Sequence, residues 1–115
     1  MKKLNLGPLE KLVMECVWEN DTQTVREVHT CIGGKRKVAY TTIMTLMVRL
    51  VDKGYLKRKP KGKHHIYSAK LSKSQSIKQN ISQFIANLRD NYGEEAVSAF
   101  TDELSESLAQ NEKRN

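Results

Sequence analysis

The sequence predicts a mainly α-helical chain carrying one small β-hairpin. Three observations lead to that expectation. Three segments with apolar residues at helical spacing fill the first half of the 115 residues, a basic stretch punctuated by Pro60 and Gly62 follows them, and two longer amphipathic helical stretches complete the chain. This length allows one compact core, or a small domain with an appended helical segment, and excludes two large domains.

The first helix opens at Gly7-Pro8, proline being favoured at the first helical position, and Leu9, Leu12, Val13, Cys16 and Val17 then share one face. "NDTQ" ends it, which gives a helix over about 8–19. In "TVRE" the Thr24 hydroxyl and the Glu27 carboxylate form a capping box, which starts a second helix over about 25–32 with Val25, Val28 and Ile32 inward. Gly33 and Gly34 are expected to end it in the left-handed region, where glycine enters cheaply. "KRKVA" leads into a third helix with the stripe Ile43, Leu46, Met47, Leu50 and Val51, and Gly54 stops it. "YLKRK" and "HHIYSAK" read as two short strands, with "PKGK" as their turn. A two-stranded hairpin is unstable alone, so it must lean on the helices. Three helices followed by a basic hairpin is the chain order of a winged helix-turn-helix.

From Ser72 the pattern changes. Ile77, Ile81, Phe84, Ile85 and Leu88 form a stripe along a helix to about Asn91, and after Gly93 a further helix places Ala96, Val97, Phe100, Leu104 and Leu108 on one face. "NEKRN" reads as a frayed polar tail. With the three-helix core already satisfied, these stripes call for apolar partners from a second copy of the chain. The expected organisation is a winged-helix domain over 1–71 and helical dimerisation over 72–115.

Charge divides along the same line. Residues 1–70 hold fifteen Lys/Arg against six Asp/Glu, and residues 71–115 hold five against seven, within a formal net charge of +7. The first part is suited to polyanions. No apolar run approaches the roughly 20 residues of a membrane span, and "MKKLNLGPLE" has no apolar leader core, so a cytoplasmic protein away from membranes is expected. Cys16 and Cys31 lie on apolar helix faces in no metal-ligand spacing and read as buried reduced thiols.

The outer side of the third helix carries Thr41, Thr45, Val48, Arg49 and Asp52, with Thr42 at its border. Solvent-facing helices are usually rich in Lys and Glu, and threonine is a poor helix former. In a DNA major groove, however, threonine offers a methyl to thymine and a hydroxyl to a base edge or phosphate, and arginine reaches guanine or phosphate. Lys35, Arg36 and Lys37 precede this helix, and Lys57, Arg58, Lys59, Lys61 and Lys63 follow it. Such clusters supply sequence-independent phosphate affinity.

"LGPLEKLVMECVWE", "TVREV", "AYTTIMTLMVRLVDKGYLKRK" and "GKHHIYSA" resemble the penicillinase repressor family, the BlaI/MecI/CopY type of bacterial transcriptional repressor. The resemblance covers nearly the whole chain. It implies a homodimeric winged-helix repressor that binds inverted repeats containing TACA and TGTA, with Trp18 buried in the opening helix. It places Thr41, Thr42, Thr45 and Arg49 on the DNA-reading helix, and Tyr40 and Tyr67 where they support that helix or touch the backbone; Lys35, Lys37, Lys61 and Lys63 complete the expected DNA contacts. The expected dimer contacts are Ile77, Ile81, Phe84, Ile85, Leu88, Val97, Phe100 and Leu104. Antibiotic-responsive members are cut at an Asn-Phe bond, where this chain has Ala99-Phe100. Copper-responsive members carry C-terminal cysteines, and here no cysteine follows Cys31. The chain ends in "SLAQNEKRN" where relatives continue, so a weaker dimer is expected. A regulatory protease or signalling partner is left open.

Catalysis is not expected, nor is a cofactor or metal. His64 and His65 are neighbours on a strand and point to opposite faces, and His29 lacks a ligand set, so all three read as wing phosphate contacts or plain surface. "GGKRK" lacks the spacing of a phosphate-binding loop. Two rivals to sequence-specific DNA binding remain: a winged-helix protein-interaction module, and nonspecific nucleic-acid binding through charge.

Overall fold

A computed structural model describes residues 6–114, with side chains as far as Glu112; the opening MKKLN, part of the stretch read for a leader, and the terminal Asn115 lie outside the described residues. In chain order the elements are α1 (Pro8–Asn20), α2 (Val25–Gly33), α3 (Tyr40–Asp52), β1 (Leu56–Lys61), β2 (His64–Ala69), α4 (Lys73–Tyr92) and α5 (Glu94–Arg114). They fall into two compact units that divide after Lys78, so the first turn of α4, with Ser76 buried, belongs to the first unit.

The first unit is built around one core. Val13, Met14, Cys16 and Val17 of α1 meet Val28 and Ile32 of α2 and Ile43, Leu46, Met47 and Leu50 of α3, and the hairpin closes the core with Tyr55, Leu56 and Tyr67. Full burial of an aliphatic side chain of this size contributes about 1.5–3 kcal/mol, which outweighs the poor helix propensity of the threonines on the other side of α3. Val25, expected inward, is only half-buried.

Local chemistry sets the ends of the elements. Glu27 N–H donates to Thr24 Oγ1 at 3.1 Å while Thr24 N–H donates to Glu27 Oε1 at 3.1 Å, the full capping box. Gly7 has no side chain, so α1 has half of one: Gly7 N–H donates to Glu10 Oε1 at 3.0 Å. The end of α2 differs from expectation. Gly33 is its last helical residue and Gly34 has φ −74°, so neither enters the left-handed region. Instead the N–H groups of Lys35 and Arg36 both bond the Ile32 carbonyl at 2.8 Å, which satisfies the helix end without it. At the end of α3, Gly54 has φ +86°, and Tyr55 N–H to Leu50 O and Gly54 N–H to Val51 O complete a Schellman motif.

The strands pair antiparallel from Leu56↔Ala69 to Lys61↔His64. Pro60 was expected in the turn but lies within β1, and the turn is Gly62-Lys63, with Gly62 at φ +61°. A positive φ at the first central position alone is the type II′ pattern, whose twist matches paired strands. The hairpin is fastened by Tyr67 N–H to Gln23 O at 2.7 Å, and Trp18, half-buried rather than buried, donates its indole N–H to Leu71 O at 3.0 Å.

Cys16 and Cys31 are not free thiols: they form a disulfide between α1 and α2. The helix packing brings their Cα atoms to 6.2 Å, within disulfide reach, a distance that separate apolar faces do not reveal.

In the second unit the rings of Phe84 and Phe100 meet edge to face at 5.4 Å, and Arg89 Nε bonds Glu94 Oε1 at 2.6 Å across the Gly93 bend. Where the sequence reads as a frayed polar tail, α5 continues through Arg114. No helix among the described residues is long and apolar enough to cross a membrane.

Candidate nucleic-acid interface

Four residues of α3, Ile43, Leu46, Met47 and Leu50, are locked into the core, and this fixes the rotation of the helix. Thr41, Thr42, Thr45 and Arg49 are therefore exposed, as their spacing predicts. Thr45 Oγ1 donates to Thr41 O at 3.0 Å, so toward a partner this hydroxyl offers lone pairs and its methyl. Lys35 and Lys37 are exposed on the segment leading into α3, and Lys61 and Lys63 at the hairpin tip.

Beside the threonine row runs a second one, Tyr40, Met44 and Val48, at i, i+4 and i+8. It forms the floor of a groove of about 530 Å³ between α3, the start of α2 and the hairpin. Thr24, Val25 and Arg26 line it from α2, and Arg58, Lys63, His64 and His65 from the hairpin. Every charged residue lining the groove is cationic.

Strand register explains which basic residues face it. Leu56 and Tyr67 point to the core, and by two-residue alternation Arg58, paired with Tyr67, and His65, paired with Pro60, lie on that same side of the hairpin. Lys57, Lys59 and Lys61 occupy the other face. Arg26 and Met44 went unmarked in the sequence, while Arg58 entered only as one of the wing's basic cluster and His65 as a wing phosphate contact or plain surface; the four-residue step from Tyr40 points to Met44, and the alternation from Leu56 to the facing of Arg58 and His65.

Of the two roles the resemblance implies for Tyr67, support of the third helix or contact with the backbone, its burial at 2% exposed fits support from the core. His29 is corrected: Nε2 lies 2.8 Å from Val38 O, and the ring meets Tyr40 edge-on at 5.7 Å, so it joins α2 to the start of α3.

The far end of α3 is held by an ion pair. Lys53 Nζ lies 2.8 Å from Glu10 Oε1, and Glu10 is nearly buried. Burial raises the Glu10 carboxyl, but the Lys53 hydrogen bond, the Gly7 N–H and the charges of Lys53 and Arg49 together bring it below its ordinary 4.5. No group of three or more His, Cys, Asp or Glu suited to a metal ion occurs among the described residues.

On the two C-terminal helices, Ile77, Ile81, Phe84 and Leu104 are each about half exposed, while Ile85, Leu88, Val97 and Phe100 are partly covered. Leu108, outside the expected dimer set, is the most exposed leucine among the described residues at 57%.

Three helices and a cationic two-stranded wing flanking an outward-facing third helix define a winged helix-turn-helix protein. The chain belongs to the penicillinase repressor family, matched over residues 6–114. It is 38% identical over 68 residues to the transcriptional regulator BlaI of Mycobacterium tuberculosis, in both the CDC 1551 / Oshkosh and the ATCC 25618 / H37Rv strains. That alignment takes in 58% of this chain and 49% of the relative, so the chain spans about half the length of the curated relatives it matches. Among solved structures it is similar to the monomeric form of Bacillus licheniformis BlaI in complex with the blaP half-operator, with a TM-score of 0.53 and 26% identity over 65% of this chain and 93% of that one.

Proposed function

We propose that the protein is a sequence-specific DNA-binding transcriptional repressor that acts in the cytoplasm as a homodimer on inverted-repeat operators of the TACA/TGTA type. The observation that carries this reading is the uncharged, exposed Thr41/Thr42/Thr45 row with Arg49, standing beside a groove whose charged residues are all cationic. A helix in a major groove reads bases with such side chains, and Lys35, Lys37, Lys61, Lys63 and Arg58 provide the phosphate attraction that those side chains cannot. Family membership and the half-operator complex of the Bacillus licheniformis relative support the same partner.

Dimerisation is proposed from the half-exposed Ile77, Ile81, Phe84, Leu104 and Leu108. Two copies would present α3 to successive major grooves about 34 Å apart.

The test is fluorescence anisotropy with a duplex carrying the inverted repeat and a scrambled duplex, each at low and physiological salt. A preference on the order of 10³ for the repeat that survives the higher salt is expected. Equal binding to both, lost with salt, would reduce the interface to a basic patch; no binding to either would favour a protein-docking role for the wing.

A further inference from the structure

The Tyr40–Met44–Val48 row has no role in the core, which Ile43, Leu46, Met47 and Leu50 already fill. Nevertheless Met44 is 43% exposed and Tyr40 44%, at the floor of the groove. Met44 is also the neighbour of Thr45 and lies one turn on from Thr41, so it shares the segment of α3 that meets base edges in a docked recognition helix.

An unbranched thioether gains little from a phosphate, and a sugar edge lies outside the groove that a recognition helix enters. The apolar group that DNA projects into its major groove is the C5-methyl of thymine. The rim favours the same ligand, since Arg26, Arg58 and Lys63 surround the apolar floor with positive charge suited to the flanking backbone.

We propose that Met44, flanked by Tyr40 and Val48, is a specificity-determining residue that reads the C5-methyl of a thymine in the operator half-site. This inference rests on the DNA-binding function proposed above and adds to it an apolar contact beside the polar one. The flexible methionine chain adapts to the methyl position without a fixed hydrogen-bond geometry.

The experiment replaces the thymines of the preferred repeat with uracil one position at a time, which removes only the C5-methyl, and titrates each duplex with the full chain and with Met44→Ala. For the unmodified protein one position in each half-site should weaken binding about fourfold, the factor carried by burying a single methyl. Met44→Ala should bind the thymine and uracil duplexes equally at that position, with a melting midpoint like that of the parent because the side chain lies outside the core. If no uracil position weakens binding, or if uracil costs both proteins the same, Met44 is not the methyl reader. If the unmodified protein shows no preference for the repeat over the scrambled duplex, the operator-binding function fails first, and the two failures are distinguishable.

Discussion

Glu10 shows how one side chain fixes the posture of another element. Its carboxylate takes the Gly7 N–H and the Lys53 ammonium, and so joins the first turn of α1 to the residue that caps α3. Because the folded carboxyl titrates below 4.5, the unfolded chain binds more protons as pH falls. The stability that Glu10 supplies is therefore complete above about pH 4.5 and is lost as pH falls through the lower folded value. Glu10→Gln should lower stability at pH 7 by about 2 kcal/mol, as expected for loss of a charged hydrogen bond, and should flatten the acid limb of a melting curve series. An acid limb unchanged by the substitution would remove Glu10 as its source. Arg49 makes the opposite prediction: it is exposed, so Arg49→Ala should leave melting nearly unchanged while weakening operator binding by about tenfold or more in an anisotropy titration. Unchanged affinity would take it off the contact surface.

Among the elements, the pairing of α1 with α2 is covalent as well as apolar. A disulfide that closes a loop of 15 residues is worth about 3 kcal/mol in the chain-entropy account. Reduction should lower the melting midpoint of the protein, and Cys16→Ala plus Cys31→Ala should make melting insensitive to reductant; a reductant effect that persists in that variant would point elsewhere. Gly62→Ala places a Cβ at φ +61° and should cost about 1 kcal/mol, seen as a lower midpoint in a denaturant titration. Helix positions were legible because apolar spacing and the Thr24/Glu27 and Gly54 signals act locally. The points that were not legible depend on partners far along the chain. Thiol pairing needs the α1–α2 packing distance, the burial of Tyr67 needs the hairpin to dock, and the His29–Tyr40 contact needs the turn between α2 and α3. The groove was illegible for the same reason, being assembled from α2, α3 and the hairpin, although the four-residue step on α3 and the alternation on the hairpin are each present as local patterns.

At the scale of the whole molecule, the half-exposed apolar residues of the second unit are those an assembly would cover. Ile81→Asp with Leu108→Asp leaves the Phe84–Phe100 contact in place, and sedimentation should show monomers with much weaker operator binding than the parent. A dimer that survives both charges would place the interface on another surface. The first unit carries a different consequence, because α3 divides its side chains cleanly. Ile43, Leu46, Met47 and Leu50 serve the core, while Thr41, Met44, Thr45 and Arg49 lie outside it. Substitutions in the outward set are therefore nearly free of folding cost. A duplicated copy of such a gene can drift to a new target through a few codons of one helix, with the scaffold inherited intact.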